Sequence, residues 1–264
     1  MKKHERRIGF ENPEYQPIDA DRAVVARSID WPVQHEQPAH FHDRGQLVFA
    51  SRGILNVTTE DGAWVVPPQR AVWIPMGIHH SILSKTKVEL RTVYIDEREA
   101  RAVPSMCCVI AVSPLLRELL LTAMTVPPDY ERGGRDERVM TLIIDELSSA
   151  EANAGDFFLP LPRDRRVKPI VDAILDGSEA PATLAAWSKT VGASGRTIQR
   201  IFVSETGLHF GTWKKQAILL EALRKLSDGE SVLNVALDLG YASPSAFTHM
   251  FRQAFGVAPS RFFD

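Results

Sequence analysis

Cysteine is almost absent: the 264-residue chain has two, Cys107 and Cys108, and they are neighbours. Adjacent thiols cannot bridge distant segments, so a disulfide framework is excluded, and a reducing compartment with ordinary packing roles is expected. Long apolar runs are also missing. No run reaches the roughly 18 residues of a membrane-spanning helix, and none is expected. Met1 to Pro13 carries charges but no apolar segment, which speaks against a secretory leader. These features point to a soluble cytoplasmic protein. Nor does one sign of charge dominate: 31 Lys and Arg stand against 33 Asp and Glu, net −2. A globally basic nucleic-acid binder is therefore excluded, but the charge is unevenly placed. Residues 160–264 hold 13 basic and 10 acidic residues, net +3, and residues 1–159 hold 18 and 23, net −5.

What is there is a pattern written twice. The first copy runs Leu184, Trp187, Gly192, Ser194, Ile198, Ile201, Phe202, Gly207; the second runs Val232, Val235, Gly240, Ser243, Phe247, Met250, Phe251, Gly256. Both have the spacing of one buried helical face on either side of a turn. Ser194 and Ser243 are expected to cap the helices they open, and Gly192 and Gly240 to supply the positive φ of a sharp turn. At 100° per residue, the opposite face of the second helix carries Arg196, Gln199, Arg200 and Val203 in copy one. In copy two it carries Ser245, Thr248, His249 and Arg252. On a single copy these would read as a solvated face. Repeated, they point to DNA, because Arg and Gln match guanine and adenine edges and Ser, Thr and His reach bases or phosphates.

The segments Gly192–Phe202 with Glu205-Thr206-Gly207, and Val235–Pro259, resemble the DNA-binding domain of the arabinose-regulator (AraC/XylS) family. The likeness covers about the last hundred residues. It implies two recognition helices, about one duplex turn apart, entering successive major grooves. Between them, Phe210, Trp213, Ala217, Leu220, Leu223 and Leu226 form a helical apolar stripe suited to holding both units, and Asp228-Gly229 ends it.

The first half has β texture. Residues 1–20 look irregular, and then Ala23–Ser28, Gln46–Ser51, Ile54–Thr59, Ala63–Val66, Ala71–Ile74, His80–Leu83 and Glu89–Ile95 read as strands. Turn signals such as Glu60-Asp61-Gly62 and Pro67-Pro68 separate them, which predicts a sandwich or small barrel. His40-Phe41-His42, Gln46, Gly53 and Pro75-Met76-Gly77-Ile78-His79-His80 are similar to the two cupin motifs. Two departures stand out: Gln46 holds the position usually taken by Glu, and Gln69 replaces the glycine expected before Pro75. Three imidazoles and an oxygen donor make His40, His42, Gln46 and His80 a candidate shell for a divalent metal ion. The same residues with Trp73 are the candidate lining of an effector site, with Arg70 or Arg91 available for an anionic group.

Beyond the strands, Ser113 and Pro114 open a helix, and a second is expected from Asp136 to Ala152. The resemblance implies that these helices serve as a homodimer contact; packing only on their own barrel is the alternative. Gly155 to Arg166 reads as a linker, and a helix from Pro169 to Asp176, ended by Gly177, should brace the first unit. The expected architecture is α+β and two-domain. A cupin-like β-barrel (residues 1–110) and a helical segment (111–153) are followed by a linker (154–166) and an all-α domain with two helix-turn-helix units (167–264).

The leading functional reading is a transcription regulator whose barrel senses a small-molecule effector and whose tail binds promoter DNA, with RNA polymerase as a further partner if it activates. A cupin metalloenzyme with an accessory DNA-binding tail and a constitutive DNA binder are the alternatives. Helix N-termini, Lys189 and either Lys214 or Lys215 are expected at phosphates, and Ser194, Thr197 and Ser243 are counted among the DNA-binding residues. Arg196, Gln199, Arg200, Ser245 and His249, flanked by Thr248 and Arg252, are expected at bases. No catalytic residue is nominated.

Overall fold

The computed structural model describes residues 21–67, 69–84, 86–150, 152–153, 157–175 and 183–263. The expectations for residues 1–20, for Pro68, for Gly155 and for the helix end at Asp176-Gly177 lie outside them.

Two antiparallel sheets form a cupin-like sandwich. One contains, in spatial order, β1 (Val24–Trp31), β8 (Val88–Ile95), β3 (Gly45–Arg52), β6 (Arg70–Ile74), β9 (Cys108–Ala111) and β10 (Ala152–Asn153). The other contains β11 (Phe158–Pro160), β5 (Gly62–Val66), β4 (Leu55–Thr59), β7 (His80–Ser84) and β2 (His35–His40). All seven expected strands form. The four that the sequence did not announce are β2, which carries Pro38 and a register shift, and the short β9, β10 and β11.

Alternation sorts the six-stranded sheet into two faces. Val48, Ala50, Val72, Ile74 and Leu90 face the sandwich interior. Leu47, Phe49, Ala71, Trp73 and Val93 face the other way, against α1 (Pro114–Ala123) and α2 (Arg135–Ser149). Both helices thus pack on their own sheet, through Leu116, Leu119, Leu120, Met140, Ile143 and Leu147. Ser113 caps α1 as expected by accepting from the Leu116 N–H, and Pro114 holds the first turn. The second helix stops at Ser149, short of the expected Ala152, because Ala152 and Asn153 pair with Ile110 and Val109. The adjacent cysteines sit at this sheet; burial pushes the Cys107 thiol up to about 12 and Cys108 up to about 11. Such thiols stay protonated and unreactive.

The C-terminal helices are α3 (Lys168–Leu175), α4 (Leu184–Val191), α5 (Gly195–Thr206), α6 (Phe210–Ser227), α7 (Val232–Asp238) and α8 (Pro244–Phe255). The apolar stripe of α6 is buried, with Trp213 wholly inaccessible and its ring 5.1 Å from that of Phe202. Around α8, Phe247, Phe251, Phe255 and Phe262 form an aromatic chain with ring centroids 4.7–5.8 Å apart.

The connecting segment is not the free tether that its prolines and charges suggest. Residues Phe158–Pro160 add to the edge of the five-stranded sheet opposite Trp64, Ala63 and Gly62. A Cβ on Gly62 would lie 2.4 Å from the Leu159 carbonyl oxygen, so only glycine admits this approach. The outward carbonyls of the same strand meet α6: Trp213 Nε1–H donates to Pro160 O at 2.7 Å, and the Gln216 amide donates to Phe158 O. On the other side, Glu205 accepts from the backbone N–H groups of Arg163 (2.6 Å) and Asp164 (3.0 Å).

Trp213→Ala should therefore cost about 3–5 kcal/mol, because it empties a filled core site and orphans a strand-edge carbonyl. Urea unfolding of the full chain measures it; a loss under about 1 kcal/mol would show that α6 does not depend on this anchor.

Candidate nucleic-acid interface and the histidine cluster

Both copies of the sequence pattern fold as helix-turn-helix units. Thr183 and Ser194 cap α4 and α5 by accepting from the Ala186 and Thr197 N–H groups. Ser231 and Ser243 do the same for α7 and α8 at Asn234 and Ala246. Gly192 (φ 65°) and Gly240 (φ 78°) take the left-handed conformation at the two turns. Ile198, Ile201 and Phe202 of α5 are buried, as are Phe247, Met250 and Phe251 of α8.

The opposite faces are open. Arg196, Arg200, Ser245, His249 and Arg252 are exposed, as is Lys189 on α4; Thr197, Gln199 and Thr248 are half-buried. Arg196, Thr197, Gln199, Arg200, Val203 and Ser204 line one shallow depression. Pro244, Ser245, Thr248, His249, Arg252 and Gln253 line its counterpart on α8. Each helix thus offers an open polar strip of the chemistry that reads a major groove. Ser194 also bonds the Thr197 hydroxyl at 2.9 Å, which binds these two into the helix start rather than leaving them free. One contact was not foreseen: the Gln199 amide nitrogen lies 2.6 Å from His209 Nδ1. His209 carried no signal beyond its place ahead of a helix.

The structure brings together the three histidines of the sandwich. Ring centroids are 4.4 Å apart for His40–His80, 4.8 Å for His40–His42 and 5.3 Å for His42–His80. All three are buried, and one ligand atom from each lies within 4.8 Å of the others. A bond from Gly77 N–H to His42 O (2.9 Å) fastens the loop before β7 to this corner. His40 Nδ1 stands 2.7 Å from Pro38 O and His80 Nδ1 2.9 Å from Ile78 O. Carbonyls accept only, so both Nδ1 atoms carry the hydrogen; Nε2 of His40 then accepts from the Gln37 amide nitrogen at 3.3 Å, and Nε2 of His80 keeps a lone pair toward Gln46. That is the tautomer used by metal-binding imidazoles whose other nitrogen is tied to backbone.

Gln46 closes the cluster. Its Oε1 is 3.0 Å from His80 Nε2, and its amide nitrogen donates to Thr92 Oγ1 (3.0 Å) and Tyr94 OH (3.2 Å). Two acceptors at 3.0 Å repel unless a proton or cation lies beside them or the amide turns over to donate to Nε2. Thr92 and Tyr94 are therefore part of the site, although sequence reasoning missed them; Glu89 and Arg91 also interrupt the apolar residues of β8, so polarity alone did not set them apart. Burial lowers the affinity of all three rings for protons, and neighbouring imidazoles add to the effect at His42. His42 falls to about 3 and His80 to about 4, so the rings are neutral donors near pH 7.

Three expected members are elsewhere. Trp73 pairs opposite Leu47, on the sheet face turned to the helices; its ring covers Gly45 and its Nε1–H donates to Pro104 O at 2.7 Å. A one-residue step in β6 separates it from Ile74, the residue that does share a face with Gln46. Arg91 is held by Asp30 (3.0 Å) and Glu89 (3.5 Å), and Arg70 lies over the Phe157 ring at 5.5 Å near the inter-domain segment.

A model of an AraC-like ligand binding domain matches residues 25–186, and a model of a helix-turn-helix domain matches residues 187–264. The HTH-type transcriptional regulator NimR of Escherichia coli (strain K12) is 34% identical over 249 residues, covering 94% of this chain and 90% of the relative. The virulence regulon transcriptional activator VirF of Yersinia enterocolitica is 24% identical, covering 90% and 86%. Among solved structures, fatty-acid-bound wild-type ToxT from Vibrio cholerae aligns over 93% of this chain and 96% of its own, at 12% identity and a TM-score of 0.37.

The histidine cluster predicts an acid-side stability slope. His42 and His80 bind protons more readily unfolded than folded, so their contribution is complete above the unfolded value of 6.5 and is lost as pH falls toward about 4. Between pH 6.5 and 5, in the presence of chelator, the unfolding free energy should drop by up to about 2–3 kcal/mol per pH unit. A His42→Asn/His80→Asn double variant should flatten that slope; an unchanged slope would show that the rings are not the source.

Proposed function

The chain belongs to the AraC family of helix-turn-helix transcription regulators, and on that premise we propose which residues do its work. Arg196, Gln199 and Arg200 of α5 contact base edges in one major groove, and Ser245 and His249 of α8 contact them in the next. Thr248 and Arg252 flank the second set. Lys189, Lys214 and Lys215, with the helix starts at Ser194, Thr197 and Ser243, hold phosphates. The observation that supports this assignment most is the pairing of a buried apolar face with an open polar strip on both α5 and α8. The long, multidentate side chains are concentrated on α5, so the first unit carries more of the sequence discrimination and the second more of the positioning.

The sandwich is the ligand-responsive half in this reading, and its histidine cluster is the sensing element. His40 and His80, through the nitrogens not tied to backbone, and His42 beside them would hold a divalent cation, with Gln46 turned toward it and the Gln37 amide turned away from His40. The donor set suits zinc or a similar borderline ion, with the neutral amide weakening the site. A bound cation would supply a fixed positive charge that ties β2, β7 and the loop at Gly77 together. An effector acts on DNA binding only through a difference in affinity for two arrangements of the linked halves. The matched relatives are transcription regulators, and catalysis forms no part of the proposal.

Arg200→Ala should cost about 1–3 kcal/mol on the preferred site and relax preference at one base pair. Gel-shift titration on site variants measures this, and selectivity equal to that of the parent would refute the role. Base-pair swaps under α5 should cost more than swaps under α8; equal losses would defeat the division of labour. Adding zinc to chelator-treated protein should raise its unfolding temperature at pH 7, and the gain should vanish in a His40→Ala variant. No rise in the parent would remove the ion from the proposal.

A further inference from the structure

Five helices of the DNA-binding half, α4 through α8, begin at a defined cap residue. Four of those caps, Thr183, Ser194, Ser231 and Ser243, use the side chain to satisfy a backbone N–H of the first turn. The fifth, His209 at the start of α6, does not. Histidine is a poor substitute for the Ser, Thr, Asp or Asn favoured there, and α6 forgoes a contribution of about 1 kcal/mol. The imidazole is used instead on Gln199, whose amide nitrogen it meets at 2.6 Å across the corner between α5 and α6.

We propose that His209 is a specificity-positioning residue, which holds the side-chain amide of Gln199 in place for its base contact. The inference rests on the reading of Gln199 as a base contact. A glutamine recognises adenine by accepting from N6–H with its oxygen and donating to N7 with its nitrogen, in that spatial order. A free amide presents both orders equally, and a flip exchanges donor for acceptor. His209 tethers the amide at its nitrogen. An amide nitrogen only donates, so in this pairing Nδ1 takes one amide hydrogen. The second amide hydrogen and both lone pairs of Oε1 remain for the base. The amide is then held in place before DNA arrives, which lowers the ordering cost of the contact.

The test uses the full chain and a randomised duplex pool, scoring base preference at each position. His209→Ser restores a side-chain cap to α6 but cannot reach Gln199. It should keep or raise the thermal midpoint and yet lower discrimination about three- to tenfold at one base pair, the worth of one neutral hydrogen bond. That base pair should be the one that Gln199→Ala affects, and adding His209→Ser to Gln199→Ala should change nothing further. If His209→Ser weakened all sequences alike, the imidazole would be a phosphate contact and the proposal overturned. If it left every preference intact while Gln199→Ala erased one, the proposal would fail and the groove reading would stand. Gln199→Ala without effect at any position would remove both.

Discussion

The strand Phe158–Pro160 spends its two rows of carbonyls in opposite directions, and the joining of the two halves depends on that division. Phe157 O accepts from Val65 N–H of β5 at 2.9 Å, and Phe158 O and Pro160 O accept from Gln216 and Trp213 of α6. An edge strand with unpaired outward carbonyls is a liability; here the first long helix of the DNA-binding half supplies the donors. Pro160 has no N–H to leave unpaired, so an edge position accepts it. Burial continues through the junction: Phe157, Leu159 and Val167 belong to the same apolar cluster as Val48 and Ile82 of the sandwich and Phe202 and Trp213 of the helices. The Phe157 ring stacks on Phe255 at 5.7 Å and lies under Arg70. A rearrangement between the halves must therefore break part-buried side-chain hydrogen bonds and expose aromatic surface, which makes two discrete arrangements more natural than a graded one.

The helix-turn-helix half was legible because its information is local. Caps, turn glycines and the apolar face lie within one turn of the positions they govern, and the second copy checks the first. The sandwich was legible only where strands alternate cleanly. His35-Glu36-Gln37-Pro38-Ala39-His40 is polar throughout and contains proline, and it becomes a strand because β7 is there to pair with it. The segment Phe158–Pro160 is three residues long, and its proline and charged neighbours suggest a tether until β5 and α6 are in place. Spacing found the three histidines because they sit on a motif. It misplaced Trp73 because which face a strand residue takes is settled by register, and a step of one position reverses it. Thr92 and Tyr94 are unremarkable in the sequence; only the Gln46 amide between them gives them a role.

The charge distribution of the DNA-binding half ties these themes to specificity. Its surplus of basic residues is small, and several are committed within the fold. Arg166 is paired with Asp164, Lys168 with Asp172, Arg224 with Glu221 and Asp228, and Lys225 with Glu230 and Asp238. The Arg166 and Lys168 pairs are too exposed to add much stability, whereas those of Arg224 and Lys225 are part-buried; in every case the partner carboxylate cancels part of the field that would attract a duplex. Among the described residues, the basic groups outside such pairs include Lys189 on α4, Arg196 and Arg200 on α5, Lys214 and Lys215 on α6, and Arg252 on α8. A small surplus of unpaired basic groups favours a modest sequence-independent affinity and a shallow salt dependence. Discrimination then has to come from a handful of side chains held in fixed orientation. A helix start that gives up its own cap to hold one amide is consistent with that economy, because an oriented contact costs less to form than an equally strong contact that must first be ordered.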